Sequence, residues 1–221
     1  MLETLELETG AVPEWSVVWL HGLGADGNDF APIVPELLRP GWPAIRFVFP
    51  HAPLRPVTVN NGVRMRAWYD IVSMDFRSRA DATGVAESIA QVEALIEREQ
   101  ARGIPAERIV LAGFSQGGAI TLAAGLARSQ PLAGLVALST YLPDATVATA
   151  QVAATASTQP VFMAHGNSDP VIPVQIGEHS AQLLQAAGFA LEWHRYPMAH
   201  QVCAEEIRDL GDWLGRLFAR R

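Results

Sequence analysis

In the run Ile109-Val110-Leu111-Ala112-Gly113-Phe114-Ser115-Gln116-Gly117-Gly118-Ala119, a serine stands with a glycine two residues to either side. A branched apolar stretch precedes it and helix-compatible residues follow, so this Gly-x-Ser-x-Gly reads as a sharp turn from a buried strand into a helix. Such a turn holds the serine in strained backbone, and any larger side chain two positions away would strike neighbouring main chain. It lifts the hydroxyl above the sheet and aims the first helix amides at an oxyanion forming beside it. The chemistry served is nucleophilic attack on an acyl carbonyl. A serine hydroxyl is a weak nucleophile until a base takes its proton, so a histidine and an orienting carboxylate must lie further along the chain.

Chain order picks them out, since serine hydrolases with this turn present nucleophile, acid and base in that sequence. After the apolar run Val161-Phe162-Met163-Ala164 comes His165-Gly166-Asn167-Ser168-Asp169-Pro170, dense in turn-formers, and Asp169 is the acid by position. Asp144, in an Ala/Thr/Val-rich segment of ambiguous period, is the alternative. His200 follows the last strand-like run and precedes the terminal helix. Of the other histidines, His21 and His51 precede the serine, His165 precedes the acid, His179 falls in a helix and His194 in a strand. Only His200 can be the base on this argument. The first strand ends in His21-Gly22-Leu23-Gly24-Ala25-Asp26-Gly27, whose turn can aim the Leu23 amide at the reacting oxygen, with the Gln116 amide as the second donor of an oxyanion hole.

Three rival chemistries are weaker. Gly22, Gly24 and Gly27 also spell Gly-x-Gly-x-x-Gly after a strand, a dinucleotide fingerprint, but Pro32 and Pro35 interrupt the helix that should follow, and Pro50-His51 ends the second strand where a ribose-binding acid belongs. No histidine pair has the helical spacing of metal ligands and no thiolate cluster exists, so no metal is expected. Cys203 lacks a nucleophile turn and reads as a small buried residue within a helix.

The elements needed to hold these residues can be read from periodicity. Strands are expected at Ser16 to Leu20, Ile45 to Phe49, Arg108 to Ala112, Gly134 to Leu138, Val161 to Ala164 and Leu191 to Tyr196, with a weaker one near Met65 to Trp68 and an edge strand within Leu2 to Glu8. Val85, Ile89, Val92 and Ile96 stripe a helix that stops near Gly103; Val174 to Ala187, closed by Gly188, and the Ile207, Leu210, Leu214, Leu217 series predict two more. Strands alternating with helices predict an α/β chain with a mostly parallel central sheet and helices on both faces. The conformation of Asp144 to Gln159 is left open.

Composition narrows the partners. The chain has 221 residues, read as one domain, 49% of them apolar and 18% charged, enough to bury a sizeable core. A formal net charge of -7 repels nucleic acid and anionic membrane surfaces. The most apolar window, Leu111 to Ala127, is broken by Ser115, Gln116 and glycines, and predicts a strand and a helix, not a membrane span. An acidic amino terminus without a basic, apolar leader and a single cysteine point to a cytoplasmic setting.

Together His21-Gly22-Leu23-Gly24-Ala25-Asp26-Gly27, Arg66-Ala67-Trp68-Tyr69-Asp70, Gly113-Phe114-Ser115-Gln116-Gly117-Gly118, His165-Gly166-Asn167-Ser168-Asp169 and Tyr196-Pro197-Met198-Ala199-His200 make the chain similar to the bacterial carboxylesterases and acyl-protein thioesterases of the phospholipase/carboxylesterase group. The resemblance covers nearly the whole chain. It implies a small α/β-hydrolase fold without a large cap domain, a Ser115, Asp169, His200 triad, no cofactor, and an assembly compatible with a homodimer. It also implies an acyl groove walled by Ile71, Val72, Val171 and Ile172, whose branched apolar side chains suit an acyl tail. The expected activity is that of a serine carboxylesterase acting on esters of small to medium acyl chains through an acyl-enzyme; the alternatives are an acyl-protein or acyl-CoA thioesterase using the same triad and, from a different class, a non-catalytic binding protein. Ala199 stands where relatives often carry glycine, and Thr140-Tyr141 where they often carry serine and glycine. These departures bear on pocket width, not on the triad.

Overall fold

The computed structural model describes residues 1–73, 81–143 and 159–219. Its sheet carries β2 (Trp15–Leu20) in the interior, buried at all six residues. Alternation sends Val18 and Leu20 into one core and Val17 and Trp19 into the other, so neither face of the strand meets water. The same holds for β3 (Ile45–Pro50) and β7 (Gly134–Leu138), and nearly so for β6 (Ile109–Phe114). With β1 (Thr4–Glu8), β8 (Val161–Gly166) and β9 (Leu191–Tyr196) they form a seven-stranded sheet of order β1-β3-β2-β6-β7-β8-β9. Only β1 runs antiparallel, along β3.

Two layers of helix cover the sheet. On one face lie α2 (Ala82–Ala101), α3 (Gln116–Ala127) and α4 (Val174–Ala186), which contribute Val92, Leu95, Ile96, Ile120, Leu122, Ala181 and Leu184 to the first core. The Asp81 carboxylate caps α2 by accepting from Thr83 N–H at 3.0 Å. On the other face, α1 (Val34–Leu37) and α5 (Ala204–Phe218) bring Leu37, Leu210, Trp213 and Leu217 against Phe47, Val110 and Phe162. This is the α/β-hydrolase fold, with no cap domain among the described residues. No described helix is long and apolar enough to cross a membrane.

Two expectations need correction. The weak strand near Met65 to Trp68 is β5 (Val63–Arg66), and it pairs antiparallel with an unforeseen β4 (Leu54–Val57) in a separate hairpin. Pro56 masked β4 in the sequence; it is tolerated because the hairpin joins no larger sheet. Cys203 is half-buried and extended, at the position that precedes α5, not within the helix. Its carbonyl accepts the Ile207 N–H and so opens the helix. Residues 144–158, and with them the alternative acid Asp144, lie outside the described residues.

The topology determines where a site can form. From β2 the chain passes to β3 on one side, then returns through β6 on the other, so the strand order reverses between β2 and β6. In parallel sheets the crevice outside the carboxyl ends of two such strands is the natural ligand site. The Leu23 turn leaves β2 there and Ser115 leaves β6.

Candidate active site

Ser115 sits between β6 and α3 at φ 54°, ψ -120°, a conformation that L side chains rarely adopt. The surroundings hold it there: its N–H donates to Leu138 O at 2.9 Å, and its carbonyl accepts from Thr140 Oγ1 at 2.6 Å. The two motif glycines are required by close approach. A Cβ on Gly113 would run into the Gly117 carbonyl, and one on Gly117 would fall 2.5 Å from the carbonyl oxygens of Leu20 and His21. The nucleophile turn is therefore packed directly onto the end of β2.

Ser115 Oγ–H donates to His200 Nε2 at 2.8 Å, and His200 Nδ1–H donates to Asp169 Oδ2 at 2.7 Å. The residues come from loops after β6, β8 and β9, separated by 31 and 85 positions in the chain. Backbone bonds lock the acid loop to the base loop: Asn167 N–H donates to Tyr196 O at 2.8 Å and Ser168 N–H to Met198 O at 3.1 Å. Gly166 lies so close to the Met198 and Ala199 carbonyls that no Cβ would fit. Phe114 packs against the His200 ring with centroids 4.9 Å apart.

The acid is held at both oxygens. Asp169 Oδ1 accepts the N–H groups of Val171 at 2.8 Å and Ile172 at 2.9 Å, leaving Oδ2 for the base. A second histidine reaches the same oxygen: His165 Nε2 lies 3.3 Å from Asp169 Oδ2 and 2.8 Å from Ile172 O. Both neighbours are acceptors, so Nε2 carries the proton and the ring is shared between them. Its Nδ1 is buried without a partner among the described residues, and desolvation lowers its pKa, so His165 is a neutral donor. Chain order set this residue aside because it precedes the acid; the signal was its place at a strand end, four residues before Asp169.

Leu23 and Gln116 both line the cavity that opens on Ser115. The Leu23 N–H makes no hydrogen bond among the described residues, whereas Gly24 N–H donates to Arg66 O at 2.8 Å. The Gln116 side chain, absent from the sequence argument, is buried and joins two loops: its Oε1 accepts from Trp68 N–H at 2.8 Å and its Nε2–H donates to Tyr69 O at 2.7 Å. Ser88 Oγ adds a hydrogen bond to Trp68 O from α2. The run Arg66 to Asp70 thus serves as a brace for the nucleophile turn.

The cavity has a volume of about 300 Å³. Ile71, Val171 and Ile172 line it as expected, but Val72 does not; it is 47% exposed. Ile71 is buried, and its neighbour in the chain turns the other way. Tyr69 and Tyr141, whose hydroxyls are 3.0 Å apart, supply wall that the branched residues were expected to give.

Known proteins resemble the chain over nearly its full length. A family model described as Phospholipase/Carboxylesterase matches residues 5–217. Acyl-protein thioesterase 1 of Mycosarcoma maydis is 40% identical, with 98% of each chain covered. Among solved structures, Arabidopsis thaliana SOBER1 superposes with a TM-score of 0.85 at 32% identity over 92% of this chain and 98% of that one. Acyl-protein thioesterase 2 of Zea mays gives 0.85 at 28% identity over 99% and 100%. These relatives are fungal and plant proteins and lend no support to the specifically bacterial likeness read from the sequence. From the first strand to the last helix, the chain belongs to the phospholipase/carboxylesterase family of serine hydrolases.

Proposed function

We propose that this enzyme hydrolyses acyl thioesters, those of acylated protein cysteines foremost, through a Ser115 acyl-enzyme, and cleaves oxygen esters by the same steps. The observation that carries the reading is the unbroken series from Ser115 Oγ through both His200 nitrogens to Asp169 Oδ2, opening on an acyl-sized cavity. Preference for sulfur over oxygen esters is supported by the 40% identity, over the full length, to a protein named acyl-protein thioesterase 1.

His200 Nε2 takes the proton of Ser115 as Oγ bonds to the acyl carbon, and the carbonyl electrons move onto oxygen. The amides of Leu23 and Gln116 stabilise that oxyanion, each such donor being worth about 2.7 to 4 kcal/mol. Asp169 holds the imidazole with Nδ1–H towards it and stabilises the imidazolium. The tetrahedral species collapses, the bond to sulfur or oxygen breaks, and His200 returns the proton to the leaving group. A thiol with an ordinary pKa of about 8.5 leaves more readily than an alcohol, so this step leans less on His200 for thioesters. Water, deprotonated by His200, then attacks the acyl-enzyme and frees Ser115. The reading extends to a single-domain chain acting in the cytoplasm, supported by the family match over residues 5–217 and the lone Cys203.

The test is a matched pair of substrates, an acyl cysteine peptide and its acyl serine counterpart. The thioester is expected to turn over faster, and Ser115→Ala should lower kcat on both by about 10⁶-fold. Retained turnover in Ser115→Ala would remove the nucleophile; an oxoester preference would return the chain to carboxylesterase chemistry.

A further inference from the structure

His21 ends next to the reacting centre, yet the chemistry above gives it nothing to do. It is 1% exposed and follows the last residue of β2. Its Nε2 accepts the Ala52 N–H at 3.0 Å; an amide can only donate, so the ring proton is on Nδ1. That Nδ1–H donates to Gly22 O at 2.7 Å. The Trp68 indole N–H donates to the His21 carbonyl at 2.9 Å, and the two rings lie 5.4 Å apart. Burial also pushes the His21 pKa down, in keeping with a neutral ring.

The bonded carbonyl belongs to the peptide that contains the Leu23 N–H. In a planar trans peptide C=O and N–H point in opposite directions, so holding the Gly22 oxygen towards the ring turns the Leu23 N–H away from it. Among the described residues the Leu23 N–H has no intramolecular partner, whereas Gly24 N–H goes to Arg66 O and Ala25 N–H goes to Gly22 O at 3.3 Å. Leu23 lines the Ser115 cavity, and a Cβ added to Gly22 would come 3.5 Å from that of Ser115.

We propose that His21, as the neutral Nδ1–H tautomer, is a positioning residue that fixes the Gly22–Leu23 peptide so that the Leu23 amide faces the developing oxyanion. The proposal rests on the oxyanion role given to Leu23 above. Asn places an amide nitrogen where Nδ1 stands, whereas Gln reaches only the Nε2 position and Phe supplies neither. His21→Asn should therefore recover most of the kcat that His21→Gln and His21→Phe lose. The loss in the latter two should approach that of one oxyanion donor, about 100- to 1,000-fold in kcat with KM unchanged.

The distinguishing readout is a trifluoromethyl ketone analogue of the acyl group, which forms a tetrahedral oxyanion on Ser115. Its affinity should fall in the Gln and Phe variants by the same factor as kcat/KM, while a non-hydrolysable acyl ether binds as before. On the unaltered enzyme, ¹⁵N spectra of labelled histidine should show His21 with its proton on Nδ1, a measurement that does not depend on any variant folding. A proton on Nε2, equal losses in Asn, Gln and Phe, or a loss expressed in KM would each overturn the proposal. If Ser115→Ala is inactive while these tests fail, only the role of His21 falls; if Ser115→Ala is active, the reading beneath it falls.

Discussion

Two buried edges of the site use the same side chain in opposite ways. At the end of β9, His200 keeps 16% of its side chain exposed and commits its nitrogens to Ser115 and Asp169, so that a proton can move along the series. At the end of β2, His21 is closed off from solvent and commits its nitrogens to backbone groups that hold it still. The contrast teaches that an imidazole's role follows from what flanks its two nitrogens. An acidic partner on one side and a hydroxyl on the other make a base; an amide donor on one side and a carbonyl on the other make a brace.

The largest blow to the moving side is expected from Asp169→Asn, which removes the acceptor of His200 Nδ1–H and allows the wrong tautomer. Steady-state kinetics should show kcat reduced about 10⁴-fold with the fold intact. A fall of tenfold or less would mean that His200 is held by the loop alone, as His21 is, and the contrast would collapse. A smaller effect is expected at His165, which braces the acid as His21 braces the amide. His165→Phe keeps the ring volume and loses the Nε2–H donor, so kcat should drop about 10- to 100-fold through misplacement of Asp169. Thermal stability should hold, because the buried unpaired Nδ1 disappears with the imidazole. A stability loss with unchanged kcat would make His165 a packing residue.

The smallest effect concerns Glu206, fully buried in the first turn of α5 behind the base loop. Burial raises its pKa from 4.5 to about 8; the Cys203 amide pulls the other way, although neither carboxylate oxygen makes a hydrogen bond of good geometry. Between those values the folded chain keeps a proton that the unfolded chain has released. The stabilisation is therefore complete below about pH 4.5 and is lost as the pH rises through about 8. Glu206→Gln cannot ionise, and denaturation at pH 4 and pH 8 should show it level with the parent at the lower pH and more stable by a few kcal/mol at the higher. Equal stability at both would show that the Cys203 amide satisfies the carboxylate.

The candidate triad was legible because the chemistry proposed for it has a chain order and a turn with strict steric needs. Gly113, Ser115 and Gly117 announce a close approach, and an acid and a histidine follow at successive strand ends. The parallel sheet was legible for a similar reason, since strands buried on both faces must be apolar throughout. Residues that act through others were not. His21 and His165 were passed over by the same ordering rule that found His200, because that rule asks which residue can relay a proton and says nothing of which peptide must be held.

Sequence alone determined which residues are candidates for nucleophile, acid and base and the order in which they occur along the chain, because these capacities are properties of residue types. Only the tertiary structure decided that β2 and β6 lie side by side, that the Gly22 carbonyl meets a ring and the Leu23 amide does not, that Val72 turns outward, and that tyrosines share the cavity wall. These are outcomes of packing between segments far apart in sequence, where a few tenths of an ångström settle which contact forms.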